Sequence, residues 1–587
     1  MRDGVRLFTS VYVPKDTSQP HPIIMTRTPY SVAPYGIDSY RENLGPSPIF
    51  GKSGYIVAYQ DVRGRNMSDG TFVDVRPQIP DKKGEHDIDE SSDTYDTIDW
   101  LVKNVPGNNG RVGIWGISYP GFYAAAAMID AHPALKAASP QAPLVDWFLG
   151  DDFHHNGAFF LVQCFNFYAD FGVPRPEPTS KKATPFDHGT PDPYDFFLRM
   201  GPLPRADERH FRGQRTFWLQ EMDHGTYDDF WRKRALWPHF KGIRPAVQTV
   251  GGWFDAEDLY GPLKTYRTIE ANGHDSQNTL VMGPWVHGGW GGGDGDSLGA
   301  VKFGSKTGDY FREQIQFPFF EHHLKGESTA AASAAKPPGA WIFETGRNEW
   351  HKYEAWPPRD AKAKSLFPRA GGKLAFEPPG QAGSDEFDEF PSDPAKPVPY
   401  TQVIAQNYQP SFMVEDQRFA ARRPDVLVYE SDPLTEDLRV VGPIEAKLHV
   451  STTGSDSDWV VKLIDVYPDD LDHPDPTHAG QTMGGFQQLV RADVFRGKFR
   501  NSFERPEPFK PGEPTVVPMT IPDVHHTFRP GHRIMVQVQC SWFPLVDRNP
   551  QSFVDIYHAK ESDFRKADQR VYRSAEHATR FDIHVLP

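Results

Sequence analysis

A serine becomes a nucleophile only when its hydroxyl stands clear of the backbone and a base can take its proton. The segment Arg-Val-Gly-Ile-Trp-Gly-Ile-Ser-Tyr-Pro-Gly at 111–121 is built for this. An apolar strand runs into Gly116-Ile117-Ser118-Tyr119-Pro120-Gly121, and an alanine-rich stretch follows. Such an elbow needs small residues around the serine, because the turn is sharp. Gly116 supplies the first. The second glycine, Gly121, falls one place later than in G-x-S-x-G, with Pro120 standing where the glycine would be. Read alone, the segment fits a nucleophile elbow or a structural turn.

The partners narrow the choice. In an α/β-hydrolase the order along the chain is serine, acid, histidine, each in a loop leaving the carboxyl end of a strand. Downstream, Ala246–Val250 reads as a strand, and Gly251-Gly252-Trp253-Phe254-Asp255 leaves its end. Thr279–Met282 reads as another, followed by Gly283-Pro284-Trp285-Val286-His287. Of 23 histidines, only His287 combines this order, a strand exit and glycine-rich surroundings. Ser118 is therefore the expected nucleophile, His287 its base and Asp255 the acid that orients the base. An oxyanion hole adds donors aimed at the developing alkoxide, each worth roughly 3–4 kcal/mol of barrier. The backbone N–H of Tyr119 is one, since Pro120 has none. The loop Thr26-Arg27-Thr28-Pro29-Tyr30 offers the phenol of Tyr30 as a second, or merely a structural tyrosine. Glu257 and Asp258 follow the acid immediately. They could line a pocket, or form an acidic first turn for a helix over Leu259–Ala271.

The elements that must hold these residues are legible in outline. Pro22–Thr26 and Tyr55–Gln60 are short apolar runs of buried-strand type, and Arg111–Trp115 is a third. Ser91–Leu101 reads as a helix with polar starting residues, and Gly121–Ala131 as another. Strand–loop–helix units resume at Ala246–Gly251 and Thr279–Gly283. The class is α/β with a mostly parallel sheet. Residues 146–240, crowded with Phe, Trp and Tyr and lacking this alternation, read as an insertion. It serves either as a cap over a pocket or as a packing subdomain. Glu327–Gly339 has linker composition, and β-rich pieces follow at Ala446–Val450, Trp459–Tyr467, Val516–Ile521 and Arg533–Gln539. Their spacing fits an antiparallel sandwich or jelly roll. The expected division is 1–145 and 241–335 for the two parts of the hydrolase domain, 146–240 for the cap and 336–587 for the β-domain.

Bulk properties exclude several classes. The 587 residues carry 63 Lys and Arg against 78 Asp and Glu, a formal charge of −15, which repels phosphate backbones. Nucleic acid is not an expected partner. No apolar run approaches the ~18 residues of a membrane span. The two cysteines, Cys164 and Cys540, are too few for a zinc cluster or a disulfide framework. His154-His155 and His525-His526 are adjacent pairs, which do not share a ligand direction. The run 292–296 resembles a calcium loop in composition only. No metal and no cofactor are expected. The chain opens without a signal peptide, which suits a cytoplasmic protein or the mature part of an exported one.

The pieces Met-Arg-Asp-Gly-Val-Arg-Leu, Arg-Thr-Pro-Tyr, Gln-Asp-Val-Arg-Gly-Arg, Gly-Ile-Ser-Tyr-Pro-Gly, Gly-Gly-Trp-Phe-Asp and Gly-Pro-Trp-Val-His resemble the cocaine esterase and X-prolyl dipeptidyl peptidase family. The resemblance extends to Cys540-Ser-Trp-Phe-Pro near the end. It implies an α/β-hydrolase domain, an inserted mainly helical cap and a C-terminal β jelly roll. It also implies an elbow of the form Gly-x-Ser-Tyr-x-Gly, and a tyrosine hydroxyl, here Tyr30, in the oxyanion hole beside Tyr119. Within the family the sequence is similar to the α-amino acid ester hydrolases, which hold the substrate's ammonium in three carboxylates. The matching residues are Glu257, Asp258 and, in the cap segment Gly-Asp-Asp-Phe-His-His-Asn-Gly, Asp152 rather than Asp151. A carboxylate cluster favours a cation and rejects an anionic glutaryl-type acyl group. The implied reaction is hydrolysis of small-molecule esters or amides of α-amino acids through an acyl-enzyme, in a chain that associates with copies of itself. The rivals are an X-prolyl dipeptidyl aminopeptidase, a general carboxylesterase or acylase, and a carbohydrate-binding jelly roll over a dead hydrolase.

Overall fold

In the computed structural model, the structure describes residues 1–274, 276–326, 338–380, 386–406, 408–471 and 483–587. The linker expected over 327–339 lies, up to residue 337, outside the described residues.

The short apolar runs pair as a nine-stranded sheet. From one edge its strands are Thr9–Tyr12, Ile56–Asp61, His21–Thr28, Asn108–Ile117, Leu135–Gln141, Ala246–Gly252, Asn278–Gly283, Ala340–Glu344 and Glu349–Tyr353. The two outermost pairings are antiparallel and the remainder parallel. Helices cover both faces, so the inner strands are apolar throughout rather than alternating; His21–Thr28, Ile56–Asp61, Ala246–Gly252 and Asn278–Gly283 are buried along their whole length. The last two strands lie beyond residue 335, so the sheet runs past the expected start of the β-domain. Ala340, Trp341 and Ile342 extend the parallel ladder beside Leu280, Val281 and Met282, a long-range pairing with no local signal.

The helix expected at Ser91–Leu101 spans Glu90–Asn104, because Asp89 caps it: its carboxylate accepts from Ser92 N–H at 2.9 Å, while Ser92 Oγ accepts from Asp89 N–H. The helix expected at 121–131 starts earlier, at Tyr119, and ends at Ala126. Its last residues tighten into turns in which Met128 and Ile129 bond three residues back.

The insertion is mainly helical, with Leu161–Asp170, Pro193–Met200 and Thr216–Asp223 as its longer helices. Its aromatic residues form their own core: Phe165 stacks on Phe211 with centroids 4.8 Å apart and meets Phe197 edge-on at 5.3 Å. The C-terminal part is a jelly-roll β-sandwich. One sheet holds Phe387–Ser392, Ala567–Tyr572, Leu438–Thr452, Thr515–Phe528 and Arg580–Leu586; the other holds Val426–Glu430, Arg533–Gln539, Asp458–Val466 and Gln487–Arg496. Lys362–Arg369 pairs with Arg580–Leu586 at one end and with Lys373–Ala375 at the other, joining the two.

The three parts are stitched together by backbone bonds. Thr345 exchanges them with the strand of His525 and Thr527, and cap residues Val162 and Phe159 bond to Pro544 and Asp547. The loops at the carboxyl ends of the parallel strands therefore open under both the cap and the sandwich.

Candidate active site

Ser118 stands at the junction of Asn108–Ile117 and Tyr119–Ala126 with φ 67° and ψ −132°, a conformation that costs a non-glycine residue about 1–3 kcal/mol. The surroundings impose it. A Cβ on Gly116 would sit 2.3 Å from the carbonyl oxygen of Pro120, and one on Gly121 would sit 2.3 Å from that of Gln141. The second small residue is thus needed at 121 rather than at 120. Ser118 N–H donates to Gln141 O at 3.0 Å, which fixes the elbow to the next strand. Tyr119 begins the helix, where a backbone N–H has no intrahelical acceptor.

Asp255 and His287 leave neighbouring strands. His287 Nδ1 lies 2.9 Å from Asp255 Oδ2, and Asp255 Oδ1 accepts from the N–H groups of Glu257 and Asp258, both at 2.9 Å. The acid is therefore held on three sides and nearly fully buried. The loop after His287 packs on the elbow: a Cβ on Gly291 would approach Ile117 Cδ1 to 2.9 Å. Ser118 and His287 both retain some exposure.

Three further carboxylates crowd the imidazole. Glu257 Oε2 is 3.6 Å from His287 Nε2, and Asp258 Oδ2 is 3.8 Å from Nδ1. Asp152, at φ 48°, is tied to the same loop by its N–H donating to Glu257 O at 2.9 Å. Its carboxylate accepts from Trp147 Nε1 at 2.7 Å and from Gln163 Nε2 at 3.4 Å. Its neighbour Asp151 is consumed structurally, accepting from the N–H groups of Val145, Asp146 and Gly261. Asp258 is fully buried, and neither of its oxygens has a hydrogen-bond partner among the described residues.

This crowding moves the protons. Burial raises Glu257 to about 7; the His287 charge opposes the rise, while Asp255 and Asp152 add to it. Burial likewise lifts Asp152 to about 6 against the His287 charge, and Asp258 is pushed well above the carboxylate range by burial and the charge of Asp152. For His287, burial acts downward but is outweighed by Asp255, Glu257 and Asp152, which bring it to about 10.

Tyr30 comes from the loop after His21–Thr28, with its ring edge-on to Tyr119 and Phe171 at 6.2 and 5.7 Å. Its phenol hydrogen-bonds Ser118, and burial together with the charge of Asp152 raises its pKa. The residue as a whole is 46% exposed, while its hydroxyl lies within hydrogen-bond reach of Ser118. The side chain of Tyr119 points elsewhere: its buried hydroxyl accepts from Val75 N–H and donates to Asp74.

Sequence reasoning missed Trp147 and Gln163, which set the orientation of Asp152. It also missed Tyr408, contributed by the β-domain, whose phenol is raised by burial and by the nearby charges of Glu257 and Asp255. None of these carries a local motif; each is brought in from another part of the chain. The adjacent histidines do face apart. His525 Nε2 meets Tyr353 Oη at 2.6 Å, whereas His526 Nε2 faces Asp465 at 3.2 Å. Glu344, His351 and His525 bring one ligand atom each within 4.8 Å of one another. Arg439, however, grips both oxygens of Glu344 at 3.1 and 2.9 Å, so the group reads as an ion pair at the domain junction.

A strained serine after a parallel strand, with a His–Asp pair on the following strand ends, defines the α/β-hydrolase class of enzyme. The sequence places the chain within that class. Residues 3–289 match the family X-Pro dipeptidyl-peptidase (S15 family), and residues 332–581 match the X-Pro dipeptidyl-peptidase C-terminal non-catalytic domain. The chain belongs to this family of hydrolases. An aminopeptidase from the marine sediment archaeon Thaumarchaeota archaeon is 40% identical, with a TM-score of 0.90 over 100% of this chain and 95% of that one. An α-amino acid ester hydrolase is 38% identical, with a TM-score of 0.91 over the same shares. The cocaine esterase of Rhodococcus sp. (strain MB1 Bresler) is 27% identical over 100% of this chain and 97% of its own length. No helix among the described residues is long and apolar enough to cross a membrane.

Proposed function

We propose that the protein hydrolyses esters and amides of α-amino acids through an acyl-enzyme on Ser118. His287 Nε2 takes the Ser118 proton as Oγ attacks the carbonyl, with Asp255 holding Nδ1. The negative charge that develops on the carbonyl oxygen is held by Tyr119 N–H and by the Tyr30 phenol, whose raised pKa keeps it a neutral donor. Collapse expels the alcohol or amine, which receives the proton from His287. Water, deprotonated by the same nitrogen, then releases the acid. An acceptor amine such as a β-lactam nucleus takes the acyl group in place of water.

The observation that carries the α-amino specificity is the position of Glu257 beside Nε2. The ion pairs of Glu257 and Asp258 are with His287, which must be neutral to act as a base. Asp255, Glu257 and Asp152 raise the His287 pKa to about 10. A substrate ammonium among Asp152, Glu257 and Asp258 neutralises them, lowers that pKa and frees Nε2 at neutral pH. The same distance favours an amine on the α-carbon over the amino end of an X-Pro dipeptide. One more residue carries the nitrogen roughly 3.5 Å further from the scissile carbonyl. The aminopeptidase and the ester hydrolase among its relatives are named for substrates that share a free α-amine.

The test is kcat/KM on phenylglycine methyl ester and its des-amino analogue, for the wild type and for Ser118→Ala. The serine variant should lose about 10⁴-fold or more on both esters, and the wild type should prefer the amino ester. Equal wild-type rates on the two esters would leave a general esterase; activity retained in Ser118→Ala would remove the nucleophile.

A further inference from the structure

Arg491, in the strand Gln487–Arg496, is 1% exposed, yet Nε and Nη1 of its guanidinium have no hydrogen-bond partner among the described residues. Three buried N–H donors without an acceptor, one on Nε and two on Nη1, are expensive, and in native proteins such groups have a partner. The nearby carboxylates are already engaged. Asp493 accepts from His155, Asn156 and its neighbour's N–H, Asp523 from Arg267 and Trp356, and Asp255 from the groups described above. Arg491 and these three acids line one cavity of about 810 Å³ between the helix Tyr260–Asn272, the cap and the sandwich. This cavity touches the back of the Asp255-Ala256 loop; Ser118, His287, Glu257 and Tyr30 do not line it.

Its walls are mostly apolar, with Leu149, Phe160, Leu263, Met413, Trp542 and Leu545 among them. Lys241, Lys264, Arg267 and Arg491 are the lining cations, against Asp255, Asp493 and Asp523, which leaves 4 − 3 = +1 in a chain of formal charge −15. Lys264 lies over the Trp237 ring, with Nζ 3.9 Å from its centroid. Burial draws the Arg491 pKa down to about 10, so the group stays charged at neutral pH.

We propose that this cavity is a second ligand site, which takes a small amphipathic monocarboxylate with its apolar body among the cap and sandwich side chains and its head on Arg491. A volume of this size suits a medium-chain or aryl-alkyl acid. Three lining carboxylates exclude a dianion, and the unmet guanidinium selects against the neutral alcohol.

Isothermal titration of decanoate, decanol and decylammonium into the intact protein tests it without any need for hydrolysis, so its failure is separate from that of the proposed reaction. Decanoate should bind with 1:1 stoichiometry, at least 10-fold more tightly than the other two. Arg491→Met should abolish that preference, and Leu263→Trp, which fills the cavity, should remove binding. Glu257→Gln should change neither. Should Arg491→Met not fold, the half-buried mouth variant Lys264→Glu should weaken decanoate several-fold and leave decanol unchanged. Decanol binding as tightly as decanoate, decanoate affinity unchanged in Arg491→Met and Leu263→Trp, or no saturable binding would each overturn the proposal.

Discussion

Two regions of the molecule bury a group of carboxylates, and they do so in opposite ways. In the sandwich, Arg496 joins Asp458 at 3.1 and 3.0 Å and also bonds Asp547, while Asn549 donates to Asp458 and Asp456. Burial would lower the arginine's pKa, but these acids drive it well above its ordinary value. That group carries its own cation. Around His287, Asp152, Glu257 and Asp258 share one imidazole as their cation among the described residues, and neither oxygen of Asp258 has a hydrogen-bond partner there. A buried charge is tolerable when paired and costly when not. The first cluster is architecture; the second sets three acids around one imidazolium that the proposed reaction needs neutral, and that shortfall of positive charge fits the proposed site whose ligand brings a cation.

The contrast is most exposed to kinetics. Glu257→Gln/Asp258→Asn should lower kcat/KM on phenylglycine methyl ester about 10²- to 10³-fold, with the des-amino ester not slowed, and faster at neutral pH as His287 releases its proton more readily. A proportionate fall on both esters would mean that the acids serve the histidine rather than the amine. Next in size is the sandwich. Asp458→Asn should cost about 3–5 kcal/mol, read as a lower denaturation midpoint, because it leaves Arg496 buried and half paired. Asp258→Asn should do the reverse at pH 8 and raise the midpoint, since the unfolded aspartate is ionised there while burial opposes ionisation in the fold, a penalty the amide does not carry. A loss of stability there would show that Asp258 has a partner after all.

The smallest effect is in the pH profile. Imidazolium cannot accept a proton, so kcat on the des-amino ester should climb with pH toward a midpoint near 10. With the amino ester bound, the midpoint of kcat should fall by a unit or more, because the ammonium cancels the field of Glu257 and Asp152. Glu257→Gln should move the des-amino profile the same way. Identical midpoints for both esters would break the link between ammonium and base.

The architecture was readable from local pattern where local pattern decides it. Short apolar runs, the Gly116–Gly121 elbow and the strand exits before Asp255 and His287 are each set by neighbours within a few residues. The pairing of Ala340–Glu344 and Glu349–Tyr353 with the hydrolase sheet was not, because it rests on a long-range ladder to Asn278–Gly283. The site divides the same way. Order along the chain points to Ser118, Asp255 and His287, and family resemblance adds Tyr30, Asp152, Glu257 and Asp258. Nothing local marks Trp147, Gln163 or Tyr408, whose side chains mean something only once cap, sheet and sandwich have met.

The sequence by itself determined which residues could do chemistry and the strand ends that carry them. Backbone sterics and hydrophobic period act over short range, and they leave a local trace. Only the tertiary structure decided the electrostatics. Whether Asp258 is paired or orphaned, whether His287 rests neutral or charged, and whether Arg491 finds an acceptor depend on groups hundreds of residues apart and on the water that packing excludes.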